Sequence, residues 1–483
     1  MDNLFKKKDV AQLIEESHEG EHTLHKTLST FNLTMIGVGV IVGAGLFSIT
    51  GVAAGQHAGP AVTISFLIAA IGCMFAALCY AEFSTMIPVA GSAYTYAYAT
   101  LGELMAWIIG WDLVLEYAVG AATVSISWSS YLVKLLQYYD IFLPLALCLS
   151  PFDSITAGDG SIHHGLVNLP ALFIVVAVSL LLIRGVHESS IVNSIIVVLK
   201  VAVILVFLVV GWAYINTANY TPYIPENTGN FGEFGWSGII RAAGIIFFAF
   251  IGFDAISTAA QETKAPAKSM PIAIFASLAI CTILYVLFAH VLTGMVNYQE
   301  FSKMNEMAPA VVAIKQIPYF WLHKLVIVSI LLGYTSVILV MLMGQSRVFY
   351  SMSKDGLLPK IFSDVHSKFK TPWRSNLVFM VFVGIFAGFV PAHIVIEMTS
   401  IGTLLAFVIV CAGILILRKT MPDAHRIFKT PLVPFVPIAG IIFCFGMMLF
   451  LRPETWVRLF VWMAIGFAIY FFYSRHKSNL NKP

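Results

Sequence analysis

The sequence predicts an all-α polytopic membrane protein with about twelve transmembrane helices. Of its 483 residues, 59% are hydrophobic and only 11% charged, and the mean hydropathy is +0.87. A soluble domain carries about 25% charged residues, so this chain has too little charge to cover a water-facing surface. Its apolar residues fall in continuous runs near the length of about 20 residues that a spanning helix needs. A transmembrane barrel would instead show alternating segments of about 10 residues.

The elements follow in order. Residues 1–32 form a polar tail, and no small-residue cleavage site follows the first apolar run, so that run is expected to stay as a helix. Runs near 33–54, 61–83, 97–126, 168–184 and 190–215 make a first five-helix repeat over 33–215, and 216–237 is expected to be an extracellular loop. Runs near 238–260, 271–296, 324–350, 376–391 and 394–417 make a second repeat over 238–417. Runs near 431–451 and 456–473 add helices eleven and twelve within 418–473, before a tail at 474–483. No residue-level repeat is visible, so the pairing of the halves rests on helix order.

Placing both termini in the cytoplasm puts 20 Lys and Arg residues inside and 7 outside, with Lys200 inside a span. The positive-inside rule therefore predicts a multi-pass cell-membrane protein with both ends cytoplasmic. The longest cytoplasmic connection, Ser346 to Ser375, mixes basic residues with Phe349, Phe362 and Phe369. It reads either as a loop that anchors and orients helices or as an interfacial amphipathic segment.

Several function classes are excluded or disfavoured. A net charge of +3, scattered along the chain, offers no basic stripe for a nucleic acid. The six cysteines lie mostly in apolar runs without paired ligand spacing and read as small buried hydrophobes. No Gly-Lys dipeptide occurs, which removes the phosphate-binding loop of an ATP-driven pump. The segment His18-Glu19-Gly20-Glu21-His22 fits the zinc-protease pattern. Gly20 weakens a helix there and the segment lies outside any span, so it reads as a solvated tail. No metal, no cofactor and no enzymatic activity are expected.

Two spans are interrupted. The first reads Gly37-Val-Gly39-Val-Ile41-Val-Gly43-Ala44-Gly45, and each glycine costs a helix interior about 1 kcal/mol relative to alanine. A dinucleotide fingerprint would need a preceding strand and an acidic residue downstream, which are missing. Gly39 and Gly43 satisfy a small-residue packing motif. The alternative, favoured here, is an unwound segment lining a cavity, whose free amides meet an anion. The sixth span carries the counterpart, Phe247-Phe248-Ala249-Phe250-Ile251-Gly252-Phe253-Asp254, interrupted by Gly252 and a charge. Broken helices in matching positions of two halves point to a transporter's substrate site.

Four pieces of sequence carry a specific resemblance: Gly43-Ala44-Gly45; Pro88-Val-Ala-Gly91-Ser92-Ala-Tyr94-Thr95-Tyr96; Phe248 through Glu262; and Gly344-Gln345-Ser346-Arg347 through Lys354-Asp355-Gly356-Leu357-Leu358-Pro359. With them the chain resembles the amino acid-polyamine-organocation (APC) transporter family, in the cationic amino acid transporter branch and its bacterial relatives. The resemblance implies a LeuT-like inverted repeat of five plus five helices, with two extra C-terminal helices. It implies that Ile41, Gly43, Ala44 and Gly45 meet a substrate carboxylate, and that Phe248, Ala249 and Ile251 meet its ammonium. Many bacterial relatives have Gly-Thr-Gly where this chain has Gly43-Ala44-Gly45, so a hydroxyl donor is missing. Met341 resembles the stretch that walls the distal side-chain pocket, although a methionine in an apolar span also serves as packing.

Ionisable residues at membrane depth cost about 2.5–3.5 kcal/mol each on insertion scales. Lys200, in the fifth span, matches the position of a lysine that proton-coupled relatives hold where a sodium ion sits in LeuT-like transporters. It reads as a proton-coupling residue or as a fixed charge tying span five to first-span carbonyls. Glu116 lies four residues after Asp112 on one helix face; it reads as a second coupling candidate, a contact for a cationic substrate, or a buried packing carboxylate. Asp254 is expected to act at the helix end rather than on the ligand.

The expected function is secondary active, proton-coupled uptake of an L-amino acid by alternating access, with substrate, protons and the lipid bilayer as partners. An exchanger and, from another class, a channel are the alternatives. The sequence does not decide which amino acids are carried or whether a small membrane subunit accompanies the chain.

Overall fold

In the computed structural model the chain is described over residues 4, 6–8, 28–86, 92–156, 162–185, 190–254, 256, 263–303, 308–424 and 426–481. The His18–His22 motif and parts of the Pro88–Tyr96 and Phe248–Glu262 segments lie outside these residues. Among the described residues seven long apolar helical stretches are joined by four shorter ones, Leu169–Arg184, Gly235–Phe250, Trp373–Phe389 and Phe435–Leu449. The first stretch, Thr30–Met86, folds back at Gly59 (φ +58°) and Pro60 and so contains two spans, which brings the total to twelve. The remaining spans are Glu103–Gln137, Ile195–Trp212, Lys268–Met295, Phe320–Lys354, Ala392–Thr420 and Pro453–Lys477. The only strands among the described residues are Ser154–Thr156 and Ile162–His164, a short antiparallel pair between spans three and four.

Local chemistry sets the boundaries. Ser29 Oγ accepts from the Asn32 amide at 3.2 Å and starts span one. Asn168 Oδ1 accepts from the Ala171 amide at 3.2 Å and Pro170 occupies the first turn of span four. That span ends at Gly185 in the left-handed conformation, φ +77°. Span three begins later than its hydropathy suggests: residues 97–100 belong to a separate helix, Ser92–Thr100, and Gly102 (φ +100°) turns the chain before Glu103. Span eight runs on to Lys354, so the Ser346–Ser375 connection starts as helix. There Phe349 packs edge-on against Phe362 at 5.1 Å and Phe379 at 4.9 Å, joining the connection to span nine.

Spans one, three, six, eight and ten form the buried centre, with span seven laid against spans one and two, span eight against span three, and span nine against span four. Large apolar residues such as Phe173, Val209, Val381, Ile442 and Phe460 point outward from the peripheral spans. In water such a surface would be untenable; against lipid it is the expected exterior.

Both chain ends lie on one face of the bundle, here the terminal face, where the Lys6 ammonium donates to the Leu480 carbonyl at 3.1 Å. Lys8 pairs with Asp355 at 3.1 Å, and the Tyr94 hydroxyl donates to the same carboxylate at 2.7 Å. Glu82, fully buried, binds Arg418 and Arg426, each at 2.9 Å, and so clamps span two to the end of span ten. On the opposite, distal face, Glu397 sits 3.4 Å from Arg452 and 3.8 Å from Arg458.

Candidate functional site

Span one is helical over Thr30–Ile41, extends at Val42 (ψ 95°), and resumes helix from Ala44. In the second half the first bonds come from Leu46 and Phe47, both to the Gly43 carbonyl, at 3.1 and 3.3 Å. The amides of Gly43, Ala44 and Gly45 donate to no atom of the described chain, as expected of a helix's first turn. Three such amides at the positive end of a half-helix have the geometry and polarity to receive an anion.

Span six breaks beside it. Helix Gly235–Ile246 tightens into a 3-10 turn at Phe247–Phe250, then extends at Ile251 (ψ 140°) and turns at Gly252, φ +108°. A side chain at Gly252 would be strained by that φ and would also strike Val40. At Gly45 a Cβ would overlap the backbone of Ala249, so the two breaks meet main chain to main chain. Gly39 and Gly43 do not share one packing face: Gly39 abuts Val197 of span five, while a Cβ on Gly43 would stand 3.3 Å from Val337 of span eight. Of the sixth-span carbonyls, Phe248 accepts from the Ile251 amide at 3.2 Å and Ala249 from the Tyr285 hydroxyl at 2.7 Å. The Ile251 carbonyl accepts from no described group.

Ile41, Ala44, Phe248, Ala249, Ile251 and Met341 are each at most 4% exposed, so this region is closed to both faces. Met341 packs toward Gly120 of span three and Thr399 of span ten; a Cβ on Gly120 would lie 3.4 Å from both side chains.

Lys200 is 2% exposed, and its ammonium donates to the Gly39 carbonyl and, at 3.1 Å, to the Val42 carbonyl. These lie at the end of the first half-helix, where unsatisfied carbonyls gather negative potential and favour a cation. Its stem runs past Gly333 of span eight, where an added Cβ would stand 3.4 Å from Lys200 Cδ.

Glu116 sits on a π-turn, Leu115–Val119, that interrupts span three, and it is within electrostatic reach of Asp254 and Asp112. All three carboxylates are 0% exposed, and the oxygens of Glu116 and Asp112 have no hydrogen-bond partner among the described residues. The Tyr117 hydroxyl donates to Asp254. Asp254 is therefore tied sideways to span three, and the residues of the half-helix it is expected to cap lie largely outside the described chain.

Tyrosine hydroxyls from other spans complete the site, and sequence reading does not single them out. Tyr285 of span seven reaches the Ile41 carbonyl at 2.6 Å and the Ala249 carbonyl at 2.7 Å, so its one proton serves both broken helices. The Tyr131 hydroxyl donates to the Phe47 carbonyl at 2.5 Å, and Tyr334 pairs with Ser48 at 2.9 Å. A tyrosine inside an apolar span signals a polar tip needing a partner, but only the fold names the partner. Tyr285→Phe leaves two buried carbonyls without this donor and is expected to cost about 1–3 kcal/mol, read as a lowered unfolding temperature with the helical content kept.

Two broken helices meeting at their backbones in a bundle of twelve apolar spans define a membrane transport protein rather than an enzyme. The chain belongs to the amino acid permease family, whose pattern it matches over residues 28–469. It is 43% identical over 482 residues to the branched-chain amino acid permease BcaP of Bacillus subtilis strain 168, covering 99% of each chain. It is 40% identical to the methylthioribose transporter of the same organism over the full length of both. To the vacuolar cationic amino acid transporter 4 of Arabidopsis thaliana it is 33% identical over 424 residues, 88% of this chain and 68% of that one.

Proposed function

We propose that this protein is a proton-coupled symporter that takes up L-amino acids, branched-chain ones foremost, by alternating access, with both termini in the cytoplasm. The observation that carries the reading is the row of unbonded amides at Gly43, Ala44 and Gly45 beside the sixth-span break. The amides receive the substrate carboxylate, and the carbonyls of Phe248, Ala249 and Ile251 receive its ammonium. Met341 closes the side-chain end with a flexible apolar surface. Two relatives bear the name of branched-chain amino acid permease, which supports an apolar side chain, and the excess of Lys and Arg on the terminal face supports the orientation.

Purified protein in liposomes is expected to take up L-leucine saturably, to support counterflow, and to accumulate it under an inward proton gradient without sodium. Uptake driven only by amino acid inside the vesicle would identify an exchanger, and non-saturating current a channel. In a competition panel methylthioribose, which has no carboxylate, is expected not to displace leucine; displacement would sink the carboxylate cradle. Ala44→Thr adds a hydroxyl at a residue 1% exposed and is expected to shift leucine affinity by about tenfold in either direction, the worth of one charge-assisted hydrogen bond or one clash. Unchanged affinity would take the Ala44 side chain out of the site.

A further inference from the structure

On the distal face a cavity of about 550 Å³ opens between the end of span one, the start of span six, the segment after span seven and the loop joining spans eleven and twelve. Its size falls within the about 300–1,000 Å³ typical of small-molecule sites. Polar side chains line it: Gln56, His57, Glu233, Arg241, Gln299 and Arg452.

Arg241 is the unusual member. It is 8% exposed, yet among the described residues no carboxylate pairs with it. Glu397, Glu233 and Glu454 act on it only at longer range than an ion pair, so this buried guanidinium has room for a closer counter-charge. Its placement is fixed from three sides. Nε donates to the Phe450 carbonyl at 2.9 Å, the Phe231 ring lies 5.7 Å from its carbon, and Gly232 packs so closely that a Cβ there would overlap the guanidinium. Gly232 is itself held, with its carbonyl 2.9 Å from His57 Nδ1 and its φ at +83°. The two terminal nitrogens of Arg241 donate to no described atom, and the residue lines the cavity.

Arg452 supplies a second cation, shared with Glu397 at 3.4 Å. Glu233 stands on the rim. Its Oε2 accepts from Thr228 at 2.7 Å and from Asn230 at 3.1 Å, leaving Oε1 without a described donor. Those two hydrogen bonds hold its carboxyl below the usual range, so it is ionised at neutral pH.

We propose that this cavity is a second binding site for a small zwitterion, an amino acid whose carboxylate is received by Arg241 and Arg452 and whose ammonium meets Glu233. The choice of ligand rests on the reading of the chain as an amino acid carrier, and the proposed orientation puts the site outside the membrane. The fixed guanidinium provides planar two-point contact with a carboxylate. The opposed charges select zwitterions over simple anions, and the site gathers ligand on the face from which uptake begins.

Equilibrium dialysis of labelled L-leucine against the full chain in detergent tests this. The wild type is expected to bind two molecules per chain, and R241Q and Gly43→Val one each, the first losing the distal site and the second the central one. R241K, which keeps the charge, is expected to retain distal binding. E233Q alters a half-buried rim residue and keeps an acceptor oxygen for Thr228 and Asn230; it is expected to weaken the distal site about tenfold. Isocaproate, leucine without its ammonium, is expected to compete poorly there. A single molecule lost in Gly43→Val and untouched by R241Q and E233Q would overturn the distal site and leave the central reading standing. A single molecule kept in Gly43→Val and lost in R241Q would do the reverse, and no binding at all would overturn both. Equal competition by isocaproate would overturn the zwitterion assignment.

Discussion

Lys200→Ala is expected to abolish accumulation while sparing substrate binding. With one proton moved per substrate, an inward gradient of one pH unit sustains about tenfold accumulation, and without coupling the internal concentration only equals the external one. The reason lies at the break of span one. The Lys200 ammonium donates to the carbonyls of Gly39 and Val42, and the three free amides follow directly at residues 43–45. In the proposed cycle a proton on Lys200 holds one end of the unwound segment while substrate is received at the other. In that cycle, loss of the proton removes the charge that strengthens these hydrogen bonds and so loosens the first span. Linkage makes the proposed coupling reciprocal, so that in this cycle substrate affinity and proton affinity change each other equally. In vesicles carrying the Lys200→Ala variant, counterflow should persist and the dependence on external pH should vanish. Accumulation that still tracks the proton gradient would remove Lys200 from the coupling step and leave it a structural tie, with Glu116 as the next residue to replace. Removing the ammonium also leaves two buried carbonyls without this donor, a loss of about 1–3 kcal/mol for each.

Gly45→Ala is expected to reduce leucine transport at least about a hundredfold, whereas Gly43→Ala is expected to leave the protein folded and active within about tenfold. The contrast follows from what each methyl meets. At Gly45 the new Cβ overlaps the Ala249 main chain, which no rotamer change relieves, so the two broken helices must separate. At Gly43 it meets a methyl of Val337 at 3.3 Å, a side chain that can yield by a few tenths of an ångström. Separation at Gly45 moves the amides of span one away from the carbonyls of span six, and a misplacement of about 1 Å is enough to cost about a hundredfold in positioning. Uptake in liposomes and the unfolding temperature, measured on the same preparations, separate lost positioning from lost folding. Equal transport by both alanine variants would show that close contact at Gly45 has no part in the site.

Gly45 also shows where reading the sequence alone stops. Four glycines in nine residues mark the segment as unfit for regular helix, and the break appears there. Whether each glycine packs helices or opens backbone is undecidable from the sequence, because that depends on what stands opposite. Gly39 and Gly43, spaced for one packing face, abut different spans, and Gly45 touches a residue 204 positions away. Lys200 is legible as an anomaly in an apolar run, and its first-span carbonyl partners are among the anticipated readings. Tyr285, which touches both breaks, gives no comparable signal in the sequence. Arg241 gives none either, since an arginine early in a span reads as a snorkelling end group until its neighbours are known.

The sequence by itself determined the class of fold, the number of spans, the two interruptions and the residues too polar for their surroundings. These follow from local composition, because a bilayer demands about 20 apolar residues per span and internally satisfied backbone wherever helix continues. Tertiary structure alone decided which broken ends meet, which hydroxyls and ammonium satisfy the exposed carbonyls, and which charges remain facing a cavity. Those outcomes depend on distances between residues far apart in the chain, and hydrogen bonds and close packing discriminate on the scale of tenths of an ångström, a resolution that periodicity and composition do not carry.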